Sequence, residues 1–194
     1  MFAEARPVWM EYWGKGRPDP ARPAPYPKCH PIAWHLLDVA ATLGAVLDAR
    51  PATRERGARL LGVEPPALRS LLVALAGLHD LGKFAPVFQA KDRDLWPTTA
   101  LGVYREPART HHTDDGYALW LARDGLHGTI GPRIWPEASG VLDVLAPAVF
   151  GHHGRPVRPL TSMEVGVARD LFRVRALTTP LDAALVCAEV VTAR

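Results

Sequence analysis

The chain has 194 residues, 48% hydrophobic and 22% charged, with a formal net charge of +3. That is enough for one ordinary globular domain with a real core, and it excludes a disordered chain. Cys29 and Cys187 lie far apart, which excludes a disulfide scaffold or a four-cysteine zinc site and fits a reducing cytoplasm.

No run reaches the ~18 uninterrupted apolar residues of a membrane span. Glu4, Arg6, Glu11 and Lys15 leave no room for a signal-peptide apolar region. The modest positive charge permits a polyanionic partner without demanding one. Residues 1–31 carry seven prolines, from Pro7 to Pro31, and proline removes a backbone donor. They predict an irregular, extended arm laid over a domain of residues 32–194. A helix follows from Ile32 to about Ala49, with Leu36, Val39, Leu43 and Val46 at helical spacing and Pro51 beyond its end. The next runs from Pro66 to about Leu81, with Leu68, Leu71, Leu75 and Leu78 on one face and Gly82 as its C-terminal glycine.

Residues 83–112 and 124–137 read as loops, with room for a short helix near Ala85 to Gln89. Between them a helix covers Asp114 to Arg123, and another covers Ala138 to Phe150. Thr161 and Glu164 have capping-box spacing for a helix to about Leu177, and a last helix runs from Pro180 to the chain end. No alternating strand pattern of useful length occurs, so the expected fold class is all-α.

The chemistry lies in the histidines. His79-Asp80-Leu81-Gly82-Lys83 closes the most apolar helix, where a charged carboxylate is costly to bury unless something pairs with it. A divalent metal would do so, and Lys83, three residues from Asp80, returns to the same face. An Asp80–Lys83 ion pair at a solvated helix end is the simpler reading of that motif alone. His35 lies in the first turn of the first long helix, His111-His112 precede the third, and Gly151-His152-His153-Gly154 follow Phe150. The two glycines suggest a turn where backbone comes close to something. Imidazoles at several element ends together with a His-Asp pair point to a transition-metal centre.

These motifs, in this order, resemble the HD phosphohydrolase superfamily: His35 in HLLDVAA, His79-Asp80 in HDLGK, His112 in HHTDDG and His152-His153 in GHHG. More narrowly they are similar to the HD nuclease domain of the type I CRISPR-associated helicase–nuclease, whose opening the YWGK of Tyr12 to Lys15 also matches. The resemblance implies an all-helical HD-domain bundle holding two divalent transition-metal ions (Mn, Fe, Co or Ni rather than Mg or Zn). His35 and His79 would bind the first ion, Asp80 would bridge, and His112, His152 and His153 would complete the second. Asp80 and Lys83 would be catalytic, with Lys83 on the substrate phosphate. Arg155 and Arg158, just after the histidine pair, are candidates for backbone phosphates. His111 remains the alternative to His112. The family's late aspartate is missing; Glu189 stands where it is expected, with Asp182 as the other candidate.

The implied function is metal-dependent cleavage of single-stranded DNA, as an endo- and exodeoxyribonuclease, in type I CRISPR interference. A type I effector complex and a helicase domain or subunit are the expected partners, and the cytoplasm the expected location. No G-x-x-x-x-G-K-[ST] phosphate loop is present, so P-loop ATP hydrolysis is not expected of this chain. The end at Thr192-Ala193-Arg194, inside an apolar helical pattern, favours a truncation. Aromatic rings, Trp13 in the arm and Trp34 in the first helix among them, are candidates for base stacking or for plain core packing. The alternatives are an HD-superfamily phosphohydrolase acting on nucleotides, and a weakly catalytic docking domain for the effector complex.

Overall fold

The computed structural model describes residues 8–16, 29–106, 111–121 and 139–154, with Val157 and Met163. The predicted helices from Thr161 and Pro180, and most of the proline-rich arm, lie outside the described residues. So do Arg155, Arg158, Asp182 and Glu189.

The chain enters through a 3-10 turn, Val8–Glu11, and strand β1, Trp13–Gly16, which pairs antiparallel with β2, Cys29–Pro31. The register sets Lys15 opposite His30 and Trp13 opposite Pro31, with an irregularity between Trp13 and Lys15. This small ribbon is the only sheet among the described residues. Helix α1, Ile32–Ala49, starts directly from it, and the Ile32 N–H donates to the Tyr12 carbonyl at 2.9 Å. By length and composition α1 could cross a membrane. Here Ile32, Ala33, Leu36, Ala40 and Leu47 are buried at the 3.6-residue period, and the helix packs mainly on α3.

Pro51 does more than end α1. A residue before proline is pushed out of the helical region, so the chain breaks at Arg50 (φ −129°, ψ 66°) and restarts with Pro51 in the first turn of α2, Pro51–Leu61. No helix is expected there from apolar spacing, because only Ala58 of α2 is buried. α3, Pro65–Leu78, buries Leu68, Leu71, Leu75 and Leu78. Arg69 on α3 grips Asp48 on α1 through two 2.7 Å bonds.

α3 stops three residues before the expected Leu81. The His79 Nδ1 donates to the Ala76 carbonyl at 2.7 Å, supplying a partner for one of the last-turn carbonyls. Asp80 then leaves the helical region (φ −111°, ψ 17°) and a 3-10 turn follows, Leu81–Phe84. Short helices α4, Pro86–Gln89, and α5, Thr98–Leu101, occupy part of the expected loop. α6, His112–Leu121, begins two residues earlier than predicted, which puts His112 in its first turn. α7, Ser139–Phe150, matches its predicted span within a residue. Tyr12, Leu36, Leu75, Phe84, Trp120 and Phe150 join one core across α1, α3, the 3-10 turn, α6 and α7.

Gly82 is not a helix cap. A Cβ there would collide with the His112 carbonyl and lie 2.6 Å from the Gly116 nitrogen, so the 3-10 turn and α6 meet backbone to backbone. Gly82→Ala should therefore force two backbones apart, costing about 3 kcal/mol, at the upper end of overpacking penalties. Urea unfolding of the variant should show a correspondingly lower midpoint with an unchanged slope.

Candidate metal centre

The 3-10 turn after α3 holds Asp80 only 2% exposed, and five other side chains carry nitrogen to its carboxylate. The His35 Nε2, from α1, lies 3.0 Å from Oδ2; the His79 Nε2 lies 3.2 Å from it, and the Lys83 Nζ 2.6 Å. The other oxygen, Oδ1, faces the His152 Nε2 at 3.2 Å and the His112 Nε2 at 3.5 Å. The His153 Nε2 lies 3.0 Å from that of His112. Four chain segments thus converge on one carboxylate.

Burial pushes the Asp80 carboxyl upward, but the contacts from His152, His35 and His79 outweigh it and hold the group far below the usual carboxylate range. It is a fixed negative charge. Burial pushes the His112 imidazole down to about 3, against the pull of Asp80 and with help from Lys83 and His111. Burial and the neighbouring His152 lower His153 as well.

Two donor sets could each hold a metal ion: His35, His79 and Asp80, and Asp80, His112, His152 and His153. In each set the donor atoms lie within 4.8 Å of one another. The hydrogen bonds fit a cation. His79 turns its Nδ1 to the Ala76 carbonyl, and His152 turns its Nδ1 to the Val149 carbonyl at 3.2 Å. A neutral imidazole whose Nδ1–H is so engaged carries its lone pair on Nε2. Each Nε2 can then meet its carboxylate oxygen only through a positive charge between them, a proton or a metal cation.

His111 stands apart from both sets. Its Nδ1 lies 2.7 Å from the Thr113 Oγ1, and its ring stacks on His112 at 4.7 Å. His112 is the member of that pair that reaches Asp80. The Gly151–Gly154 turn does not bring backbone close to anything at its far glycine: a Cβ on Gly154 would have open space, and what demands glycine is its φ of +76°.

One residue at the centre carried no sequence signal. Gln89, fully buried on α4, donates to the carbonyls of Lys83 (2.6 Å) and Trp13 (2.9 Å), and its Oε1 accepts the Trp13 N–H at 3.1 Å. The Trp13 indole N–H returns a bond to the Gln89 carbonyl, and the Lys83 Nζ also donates to the Gly14 carbonyl at 3.3 Å. The YWGK segment is thereby the brace that aims Lys83. The aromatics divide: Tyr12, Trp13, Trp96 and Trp120 are buried, whereas Trp34 is 48% exposed.

A helical domain that gathers histidines from separate segments round the aspartate of a His-Asp dipeptide is an HD domain. Residues 13–187 match the family described as Cas3, HD domain, and the chain belongs to that family. It is 47% identical over 192 residues to the CRISPR-associated endonuclease/helicase Cas3 of Thermus thermophilus, covering 79% of this chain and 20% of that protein. A crystal structure of a CRISPR-associated protein superposes with a TM-score of 0.62 at 25% identity, over 96% of this chain and 19% of the other. The chain spans about a fifth of each relative's length.

The depressed His112 has a consequence for stability. Unfolded, it titrates at its ordinary 6.5, so between there and about 3 the unfolded chain binds the extra proton and folding weakens as pH falls. Asp80, depressed below its ordinary 3.8, acts in the same direction at lower pH. Metal-free protein should lose roughly 1–2 kcal/mol of stability between pH 7.5 and pH 5 from His112 alone. Urea midpoints at the two pH values measure this, and His112→Asn should flatten the difference.

Proposed function

We propose that this chain is a metal-dependent nuclease domain that hydrolyses phosphodiester bonds of single-stranded DNA in type I CRISPR interference. The observation that carries the reading is Asp80 as the common vertex of two donor sets, His35–His79 on one side and His112–His152–His153 on the other. Divalent transition-metal ions held there would supply Lewis acidity, lowering the pKa of water and polarising phosphoryl oxygens. Neutral His112 keeps one ring-nitrogen lone pair for a metal at neutral pH, and the carbonyls of Ala76 and Val149 orient His79 and His152. Glu189 is proposed as the remaining acid, with Asp182 as its alternative.

In this arrangement Lys83 neutralises Asp80. To touch a substrate phosphate, its ammonium exchanges that contact for the phosphate while the Gly14 carbonyl still steers it. Arg155 and Arg158 are proposed to hold flanking phosphates. The Thermus relative is named as both endonuclease and helicase, which supports a helicase domain or subunit as partner. A type I effector complex as the second partner and a cytoplasmic location complete the proposal.

The test is cleavage of single-stranded oligonucleotides by the full chain with Mn²⁺, Co²⁺ or Ni²⁺. EDTA should abolish it, and Asp80→Asn and His79→Ala should each lower kcat by at least about 100-fold, equivalent to about 2.7 kcal/mol of barrier. Unchanged cleavage in both variants overturns the assignment. Phosphate release from mononucleotides without DNA cleavage would instead support the nucleotide phosphohydrolase.

A further inference from the structure

A cavity of about 470 Å³ opens beside the centre, walled by β1, β2, α1 and α3. Two of its lining residues also belong to the centre. His35 holds Asp80 through Nε2, and Ala76 accepts the His79 Nδ1–H. Anything bound in this space therefore lies next to the first donor set.

The walls are of two kinds. Val39, Leu43 and Val46 from α1 form an apolar side, spaced three and four residues apart so that they share a helix face. At the other side stand Lys15, His30 and Asp38. His30 and Asp38 satisfy each other at 3.0 Å. Lys15 is exposed and makes no ion pair among the described residues. Its place in the ribbon opposite His30 sets that cation at the cavity wall. The volume falls in the ~300–1,000 Å³ range of small-ligand sites. An apolar face, a lone cation and a polar donor–acceptor pair are what a nucleotide needs: a surface for the base, a charge for the phosphate, and groups for the base edge.

We propose that this cavity is the subsite for a nucleotide next to the scissile phosphodiester, with the base against Val39, Leu43 and Val46 and Lys15 on its phosphate. The inference rests on the nuclease reading above and adds a reason for strand selectivity. A base that lies against this helix face must be unpaired and unstacked, which a single strand offers without the cost of opening a duplex. Asp38, whose carboxylate keeps acceptor capacity beyond its contact with His30, stands at the base edge.

Two substitutions test it from opposite sides: Lys15→Gln removes the charge, and Thr42→Trp fills the cavity from the exposed side of α1. In each, KM for a single-stranded oligonucleotide should rise about 5- to 10-fold with kcat within about twofold, the signature of lost uniform binding. Lys15→Arg should restore the wild-type KM. For EDTA-treated protein, fluorescence anisotropy of a labelled oligonucleotide should give a slope of log affinity against log salt that is shallower by about 0.7 in Lys15→Gln, the share of one phosphate contact. A KM unchanged in either variant, in a chain that still cleaves DNA, overturns the subsite and leaves the nuclease reading standing. A wild-type chain that cleaves no single-stranded DNA overturns both.

Discussion

A carboxylate buried to 2% exposure is the constraint round which this domain is arranged. An ionised group taken out of water loses several kcal/mol of hydration even after its surroundings relax, and Asp80 stays ionised. The protein answers with nitrogen from α1, the α3 end, the 3-10 turn, α6 and the turn after α7. Each donor must arrive within about hydrogen-bonding distance, so among the described residues the placement of every long helix except α2 is tied to one atom pair. Removing a single donor leaves the charge partly unpaired, which is far more damaging than never having buried it.

The neutralisation is of two chemical kinds. Lys83 brings an ammonium to Oδ2. The imidazoles bring lone pairs as readily as protons, and burial tips His112 and His153 toward the neutral form. Such a donor set suits a cation at neutral pH better than in acid, where metals and protons compete for the same nitrogens. Its position at the end of the leucine-lined α3 strengthens this competition. Leu71, Leu75 and Leu78 anchor α3 in the core, so the histidine and aspartate that follow sit on a rigid mount in a poorly solvated place, where electrostatic interactions are felt most.

Close backbone approach supplies the remaining precision. Gly82 and Gly116 let the 3-10 turn and α6 touch without side chains between them, which carries His112 to Asp80. On the opposite side, the Gln89 amide ties Trp13 to the Lys83 backbone, while the Gly14 carbonyl receives the Lys83 ammonium. The N-terminal ribbon, short and irregular as it is, takes part in the centre. It also forms one wall of the neighbouring cavity, so one element braces Lys83 and shapes the space beside the two donor sets.

Much of this was legible from the sequence alone. Apolar spacing located α1, α3, α6 and α7 to within a few residues, because a helix that buries one face must repeat at 3.6 residues. The motifs His79-Asp80, His112 and His152-His153 pointed to the residues that the fold brings together, because few residue types bind metals and they stood at element ends. Helix α2 escaped, since it buries only Ala58 and so leaves no stripe to read. The early end of α3 depended on a His79–Ala76 bond that spacing does not encode. Which oxygen of Asp80 meets which imidazole, and that Gly82 serves close contact rather than capping, were decided only in three dimensions. So was the part played by Gln89. Local pattern records which face of a segment avoids water and which atoms can bind a cation; it does not record which distant segment will fill the space beside them.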